Sequence, residues 1–308
     1  MGAPEQPTQL FPLRNEMNRF EITLEGNTYY VEWMGDKGAH LHHTRKNLYE
    51  AQTTFQHLNL YETFGFGKLL VLDGEPQSSE FDEDIYHEAL VHPALVLSRN
   101  PESVLILGGG EGATLREVLR HLTVKKATMV DIDGEVVSVC KKELPGHSKG
   151  AFDDPRATVI IDDAIKFLKE TTERFGCVIS DLTEPDPETP SQGLLNEELF
   201  RLIKSKMKAD GVFAMQASHA TRGKNARHLQ YISILKKVWK IVRPYRVFIP
   251  SFYSEWGFVL ASDALDPLTL SAEEIDKKLA PIASALRYYD GRIHHAIFTP
   301  PKELRKID

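Results

Sequence analysis

The chain has 308 residues, of which 42% are hydrophobic and 26% are charged, an ordinary balance for a globular protein. Its formal net charge of -7 disfavours a nucleic-acid or anionic-membrane surface, which would need a basic patch, and is compatible with a cationic substrate. Cys140 and Cys177 have neither CxxC spacing nor a histidine cluster beside them, so no zinc site and no disulfide framework is predicted.

The first residues predict neither export nor membrane insertion. Residues 1–18 contain several Pro and Gln residues without periodicity and are predicted to be a flexible tail. They hold no apolar stretch of the signal-peptide type, and no run in the chain approaches the roughly 20 apolar residues of a membrane span. Two thiols without a motif fit a reducing compartment, so we expect a cytoplasmic protein with no membrane partner.

Residues 19–81 are predicted to form a small antiparallel β domain. Two strand-like runs, at 20–24 and 29–33, flank Glu25-Gly26-Asn27, which is a hairpin signal. Further strand-like runs follow at 54–61 and 69–72. The edges of such a sheet are unfavourable unless they are paired, so we expect a homodimer or a homotetramer.

Residues 82–308 are predicted to form a second, larger domain in which helices and strands alternate. Such alternation favours an α/β fold built on a parallel sheet. The predicted helices are 82–97, 113–121, 134–143, 164–172, 195–208 and 225–239, and the predicted strands are 104–107, 128–132, 158–161, 178–181, 212–216, 246–249 and 258–261.

An acidic segment, residues 80–88, surrounds the start of the first predicted helix. Its carboxylates at 82–84 fit a solvated first turn that the helix dipole stabilises. Tyr86 and His87 are different because apolar residues follow them directly. A hydroxyl and an imidazole at this place can bind a substrate amine, although a lone histidine is more often structural.

A glycine-rich turn, residues 108–112, joins the first parallel strand to a helix. Gly108 and Gly110 allow a tight turn and close approach of the backbone to a ligand. Asp131 and Asp133 end the next strand, where a carboxylate can hydrogen-bond the two ribose hydroxyls. A packing turn would explain the glycines alone, but the strand context together with the carboxylate favours a nucleoside site.

Glu111, inside this turn, distinguishes between two classes of nucleoside. The pattern loosely fits a dinucleotide site with Ala113 in third place, but a carboxylate would repel a pyrophosphate. A cationic sulfonium that carries an amine suits the carboxylate, so SAM-type ligands outrank NAD. We therefore predict an α/β fold with a Rossmann-like, doubly wound sheet of the SAM-methyltransferase type and a small N-terminal antiparallel β domain.

Two further strand ends carry carboxylates. Asp162 and Asp163 end the third parallel strand, where an Asp can accept a hydrogen bond from an adenine amino group or cap the next helix. Asp163 is predicted to contact the ligand. For Asp162, contact with the ligand and capping of the helix are equally supported. Asp181 ends the fourth strand, and Glu184 follows three residues later.

The chemistry predicted at Asp181 is proton transfer. Alkylation by a sulfonium needs a neutral amine, whereas the amines of a polyamine are protonated at pH 7, as lysine is. Asp181 is predicted to remove the proton as the amine attacks, and Glu184 to hold a second ammonium and orient the substrate. The alternative is that both carboxylates only cap a loop or a helix.

The chain resembles the polyamine aminopropyltransferases, which are the spermidine, spermine and thermospermine synthases, over about residues 52–263. The resemblance implies that decarboxylated SAM is the co-substrate, that its aminopropyl group passes to an amine, that methylthioadenosine leaves, and that no prosthetic group takes part. It rests on ordered motifs at 67–74, Gln77, 82–88, 105–112 with Arg116 and Glu117, 130–133, 154–156, 162–164 and 180–185.

The same resemblance assigns roles to single residues. For the donor, Gln56 and Asp131 hold the nucleoside, Asp163 and Ala164 lie at the adenine, and Pro190 closes over it. The remaining assignments concern the amines. Glu111 and His87 bind them, with Tyr86 beside these two residues, and Asp181 accepts the proton. The residues expected to contact the substrate are Glu184, Gln216 and Trp256.

Departures from the family pattern concern the acceptor. Residues 184–190 replace a common Asp-Pro-x-Gly-Pro, Glu111 stands where Asp is common, and residues 251–257 replace a Tyr-bearing segment. The last two features resemble the thermospermine and agmatine/triamine branch, so putrescine, agmatine and spermidine all stay open as acceptors. Two other hypotheses are a SAM-dependent methyltransferase and a non-catalytic polyamine-binding protein.

Overall fold

The computed structural model of the chain describes residues 21–34, 38–184, 195–299 and 302. The predicted tail and Pro190 lie outside these residues. Two sheets organise the described chain, one of six strands and one of seven, and they confirm the predicted α/β fold with an antiparallel N-terminal sheet. Within the described ranges, none of the helices combines the length and apolar character that crossing a bilayer requires.

The first sheet contains six strands in chain order, and each is antiparallel to the next. One of its faces packs Leu58, Leu60 and Leu70 against Val136 and Val139, which lie later in the chain. Two strands, β3 and β6, were not predicted from the sequence. The strands are β1 (Glu21–Leu24), β2 (Asn27–Trp33), β3 (Ala39–Gln52), β4 (His57–Thr63), β5 (Gly67–Leu72) and β6 (Glu75–Ser79).

The second sheet has the order β12-β13-β11-β10-β7-β8-β9. Strands β7 to β11 are parallel, and β13 and β12 complete one side in antiparallel pairing. The strands are β7 (Ser103–Gly108), β8 (Lys126–Asp131), β9 (Ala157–Ile161), β10 (Phe175–Asp181), β11 (Met207–His219), β12 (Ile241–Ile249) and β13 (Ser254–Ser262).

Helices cover both faces of this sheet. Val104 and Ile106 of β7 join one buried cluster, and Leu105 and Leu107 join another on the opposite face, as alternation along a strand requires. The sequence did not predict α4, α8 and α9. The helices are α1 (Glu83–Leu97), α2 (Ala113–Arg120), α3 (Gly134–Glu143), α4 (Pro145–Ser148), α5 (Ala164–Glu170), α6 (Glu197–Ser205), α7 (Ala226–Leu235), α8 (Ala272–Leu279) and α9 (Gly291–Ile297).

The order of the strands changes direction beside β7. From β7 the chain continues outward to β8 and β9, and it then returns to place β10 on the other side of β7. Ligands of open α/β sheets bind beyond the carboxyl ends of strands at such a switch point. The residues that end β7, β8 and β10 are Gly108, Asp131 and Asp181, so the fold brings the predicted nucleoside and proton-transfer residues to one place.

Candidate active site

The glycine-rich turn lies against the end of β10. Gly108 has φ +81°, and a Cβ added there would lie 2.4 Å from the carbonyl oxygen of Asp181, so only glycine fits without displacement. A Cβ on Gly110 would lie 2.9 Å from Oδ2 of Asp131. The two glycines therefore let the turn come close to the backbone of Asp181 and to the carboxylate of Asp131.

Asp181 accepts two short hydrogen bonds from neighbouring hydroxyls. The Tyr86 hydroxyl donates to Oδ1 at 2.8 Å, and Thr114 Oγ1 donates to Oδ2 at 2.6 Å. Burial and then the charge of Glu111 raise the pKa of Asp181, and His87 and the two hydroxyls partly oppose them, so that the pKa is about 6. A carboxylate with this pKa is ionised at neutral pH and is a stronger base than an ordinary aspartate. Thr114 had no signal in the sequence as a partner of Asp181.

His87 is buried, and both of its ring nitrogens face acceptors. Nε2 lies 2.7 Å from Glu111 Oε1, and Nδ1 lies 2.6 Å from the carbonyl oxygen of Glu83. Two acceptors require two N–H donors, which only the imidazolium provides. Burial lowers the pKa of His87, but the two glutamates more than reverse this effect and place it well above its ordinary value. An imidazolium has no lone pair to offer a metal ion.

Glu111 completes a compact polar cluster. His87, Glu111 and Asp181 each bring one nitrogen or oxygen atom within 4.8 Å of the other two. Burial raises the pKa of Glu111, and the hydrogen bond from His87 overcomes this and lowers it, so Glu111 carries its charge. The cluster holds two carboxylates and one imidazolium, and its net charge is negative.

Asp131 stands beside this cluster. Burial raises its pKa to about 6, and its Oδ1 accepts the backbone N–H of Asp133 at 2.9 Å. Gln56 meets Asp133 and not Asp131: its Nε2 donates to Asp133 Oδ2 at 3.0 Å, next to Thr53 Oγ1 at 2.7 Å. Asp133 also caps α3, so it ties Gln56, in the loop between β3 and β4, to the carboxyl end of β8. Thr53 was missed in the sequence analysis.

Asp163, which precedes Ala164 of α5, caps that helix. Its Oδ1 accepts the backbone N–H groups of Ile165 and Lys166, at 2.6 and 3.0 Å. The helix cap is therefore Asp163, and Asp162 instead pairs with the Lys166 ammonium at 2.9 Å. The predicted contacts of Asp163 and Ala164 with an adenine stay predictions.

Glu184 lies in a second polar group beyond Asp181. Its Oε2 pairs with Arg227 at 2.9 Å, which the sequence did not indicate. Its Oε1 is buried without a hydrogen-bond partner among the described residues. Gln216 donates to the carbonyl oxygen of Leu182 at 2.6 Å and so supports the segment between Asp181 and Glu184.

Trp256 lies in an aromatic group that extends to Tyr86, the hydroxyl partner of Asp181. Its ring is 5.0 Å from Phe252, which in turn is 6.1 Å from Tyr86. Its Nε1 is a second buried polar atom that has no partner in the described part of the chain. An aromatic wall close to carboxylates suits an organic cation.

Comparisons with known proteins agree with this arrangement. The sequence model of the family described as "Spermine/spermidine synthase domain" matches residues 83–271, and that of "Spermidine synthase tetramerisation domain" matches residues 36–80. The polyamine aminopropyltransferase of Sulfolobus acidocaldarius is 42% identical over 91% of this chain and 92% of its own. That of Aeropyrum pernix is 47% identical over 79% and 77%.

Solved structures show the same likeness. A spermidine synthase in complex with the transition-state analogue AdoDATO has a TM-score of 0.84 and 30% identity, over 95% of this chain and 98% of its own. The spermidine synthase from Thermotoga maritima has a TM-score of 0.82 and 29% identity, over 96% and 99%.

Proposed function

Because the chain belongs to the spermine/spermidine synthase family, we propose that Asp181 is the base that takes the proton from the attacking amine. The protein is a transferase of polyamine biosynthesis that moves the aminopropyl group of decarboxylated SAM, its co-substrate, to an amine. One observation carries the proposal for Asp181. Its buried carboxylate lies in the anionic cluster, held by Tyr86 and Thr114.

The proposed step has a simple balance of bonds. The neutral amine nitrogen attacks the aminopropyl carbon next to the sulfonium, the carbon–sulfur bond breaks, and its electron pair stays on sulfur in methylthioadenosine. Asp181 takes the proton that the nitrogen loses. The hydroxyls of Tyr86 and Thr114, one on each carboxylate oxygen, hold the carboxylate in a fixed orientation for the incoming nitrogen.

The donor is proposed to bind between the turn and the end of β8. Glu111 holds the amine of the donor through a charge-assisted hydrogen bond. The same carboxylate would repel a pyrophosphate, so it distinguishes the proposed site from a dinucleotide site. Asp131 accepts from the ribose hydroxyls, and Gly108 and Gly110 let the backbone approach the nucleoside. Gln56 acts at the same end through Asp133.

The acceptor is proposed to be putrescine, agmatine or spermidine, with Glu184 and Trp256 at its far end. The buried Oε1 of Glu184 can accept from an ammonium while Arg227 holds Oε2. Burial raises the pKa of Glu184 and Arg227 opposes this, so a bound ammonium would favour the charged form.

A panel of acceptors with decarboxylated SAM tests this proposal. Putrescine, agmatine, cadaverine, spermidine and longer amines are each incubated with the protein, and the products are identified by mass spectrometry. We expect an aminopropylated product from at least one of the three proposed acceptors, with one equivalent of methylthioadenosine. Turnover of only the longer amines or of cadaverine would contradict the acceptor assignment, and homocysteine-type product from intact SAM would contradict the donor assignment.

We further propose a homodimer or homotetramer in the cytoplasm. The match to a tetramerisation domain over residues 36–80, which covers most of the first sheet, supports association of copies. Buried, unpaired Cys140 and Cys177 fit a reducing compartment. The proposed partners are small molecules, and no nucleic acid is expected.

A further inference from the structure

A row of buried charges lies behind the active-site cluster, where α1 meets α2. Arg116 donates two hydrogen bonds to Glu83, from Nη1 to Oε1 at 2.9 Å and from Nη2 to Oε2 at 2.6 Å. Its Nε donates to Glu117 Oε1 at 2.7 Å. The side chains of Arg116, Glu83 and Glu117 are only 6%, 10% and 0% exposed, so the bonds are little weakened by solvent.

This row fixes the position of Glu83. Arg116 is itself held on several sides because Nη1 also contacts the carbonyl oxygens of Gly146 and His147. A planar guanidinium bound in this way cannot rotate without breaking several bonds. The carboxylate that it grips therefore has one orientation.

Glu83 presents two acceptors to the same nitrogen of His87. Its carbonyl oxygen lies 2.6 Å from Nδ1, and its carboxylate Oε2 lies 3.3 Å from Nδ1. On the other side of the ring, Nε2 donates to Glu111. The row thus continues without a break from Glu117 through Arg116, Glu83 and His87 to the carboxylate at the reacting centre.

We propose that Glu83, gripped by Arg116, is a positioning residue that keeps His87 an imidazolium and so fixes Glu111 and favours the ionised form of Asp181. Glu83 touches no substrate in this arrangement. The kinetic part of the inference rests on the proposed role of Asp181 as the base. The charge state of His87 can be measured without substrate and is independent of that role.

The charges around His87 favour this state at neutral pH. Burial lowers the pKa of His147 to about 4, so this neighbour is neutral. Arg116 is the cation beside the ring, and the negative charges of three carboxylates, those of Glu83, Glu111 and Asp181, exceed its positive charge. The titratable and charged groups that face the imidazole are Glu83 and Tyr86 from α1, Glu111 from the turn, Arg116 from α2, His147 from α4 and Asp181 from β10.

Nuclear magnetic resonance of the imidazole nitrogens tests the charge state directly. The signals of His87 are assigned by their loss in His87→Asn, and the substrate-free wild-type protein is titrated. We expect His87 to stay doubly protonated through pH 8. A neutral ring at pH 7 in the folded wild-type protein would overturn the proposal, whatever the variants do.

Glu83→Gln tests the consequence for catalysis. The amide keeps the size of the side chain but removes the charge, so His87 is expected to be neutral already near pH 6, where Asp181 titrates. Without the imidazolium, Asp181 ionises less readily. The acid limb in the pH profile of kcat/KM should therefore move up by about one pH unit, which lowers kcat/KM about tenfold at pH values below the limb. The free acceptor amine has the same pKa in both experiments. Any difference between the acid limbs of the wild-type protein and the variant therefore arises from groups of the enzyme.

Two matched variants complete the test. Glu83→Asp keeps the charge and should restore the wild-type acid limb, even if KM changes. Glu273→Gln, in the exposed first turn of α8, should leave both the limb and His87 unchanged. An acid limb in Glu83→Gln that coincides with the wild-type limb, in a folded protein, would show that Glu83 is only structural.

Discussion

Asp181→Asn is expected to lower the rate of aminopropyl transfer by about 10²- to 10⁴-fold, because an amide cannot take the proton of the amine. The side chain keeps its shape, and its amide oxygen can still accept one of the two hydrogen bonds from Tyr86 and Thr114. The fold should therefore persist. The measurement is single-turnover formation of methylthioadenosine with saturating donor and acceptor, so that weaker binding does not enter the rate.

The control is Asp153→Asn, which makes the same chemical change at an exposed residue whose carboxylate pairs with Lys141 on the surface. This variant should retain the wild-type rate. Full turnover of Asp181→Asn would remove Asp181 as the base, and the proton would then have to leave by another route.

Glu111→Gln is expected to weaken both binding of the donor and discrimination between donors. A hydrogen bond to a charged group contributes about 1.5–3 kcal/mol, so kcat/KM for decarboxylated SAM should fall about 10- to 100-fold. Intact SAM carries a carboxylate that the charge of Glu111 repels, and the glutamine removes that repulsion. The preference for decarboxylated over intact SAM in equilibrium binding should therefore narrow.

Calorimetric titration of both donors into each protein measures this preference. Glu198→Gln, in the exposed first turn of α6, is the matched control and should bind both donors like the wild-type protein. An unchanged ratio of the two dissociation constants in Glu111→Gln would mean that Glu111 does not face the amine end of the donor.

Much of the seven-stranded sheet could be predicted from the sequence. The strands that carry Gly108, Asp131 and Asp181 were predicted because buried parallel strands are short, apolar and β-branched, and their order with helices predicted the Rossmann-like sheet. The carboxyl ends of such strands meet at one edge, so the convergence of Asp131 and Asp181 was also predictable. The family resemblance was confirmed, and its finer branch stays a prediction.

Other elements gave weaker signals. Strand β3 reads Ala-His-Leu-His-His-Thr-Arg-Lys-Asn-Leu-Tyr-Glu-Ala-Gln, and it has no regular apolar alternation because much of it is only half-buried or exposed. Helix α8 did carry a signal, the capping box of Ser271 and Glu274, which the sequence analysis did not use.

The partners of the site residues could not be read from the sequence. Arg227 pairs with Glu184 across 43 residues, and Arg116 reaches Glu83 across 33. These pairs depend on how α7 and α2 dock, which local patterns do not specify. The acidic first turn of α1 was interpreted as solvated, whereas Glu83 is bound by Arg116 and largely buried.

Proton release on donor binding shows whether ionised carboxylates at one rim of the sheet bind the cationic donor. Decarboxylated SAM is titrated calorimetrically, without acceptor, in buffers of different ionisation enthalpy. Asp131 and Asp181 both have a pKa of about 6, and a cation beside them lowers it. We predict release of up to about one proton at pH 6 and almost none at pH 8. Proton uptake, or no exchange, at pH 6 would show that the donor does not bind beside these carboxylates.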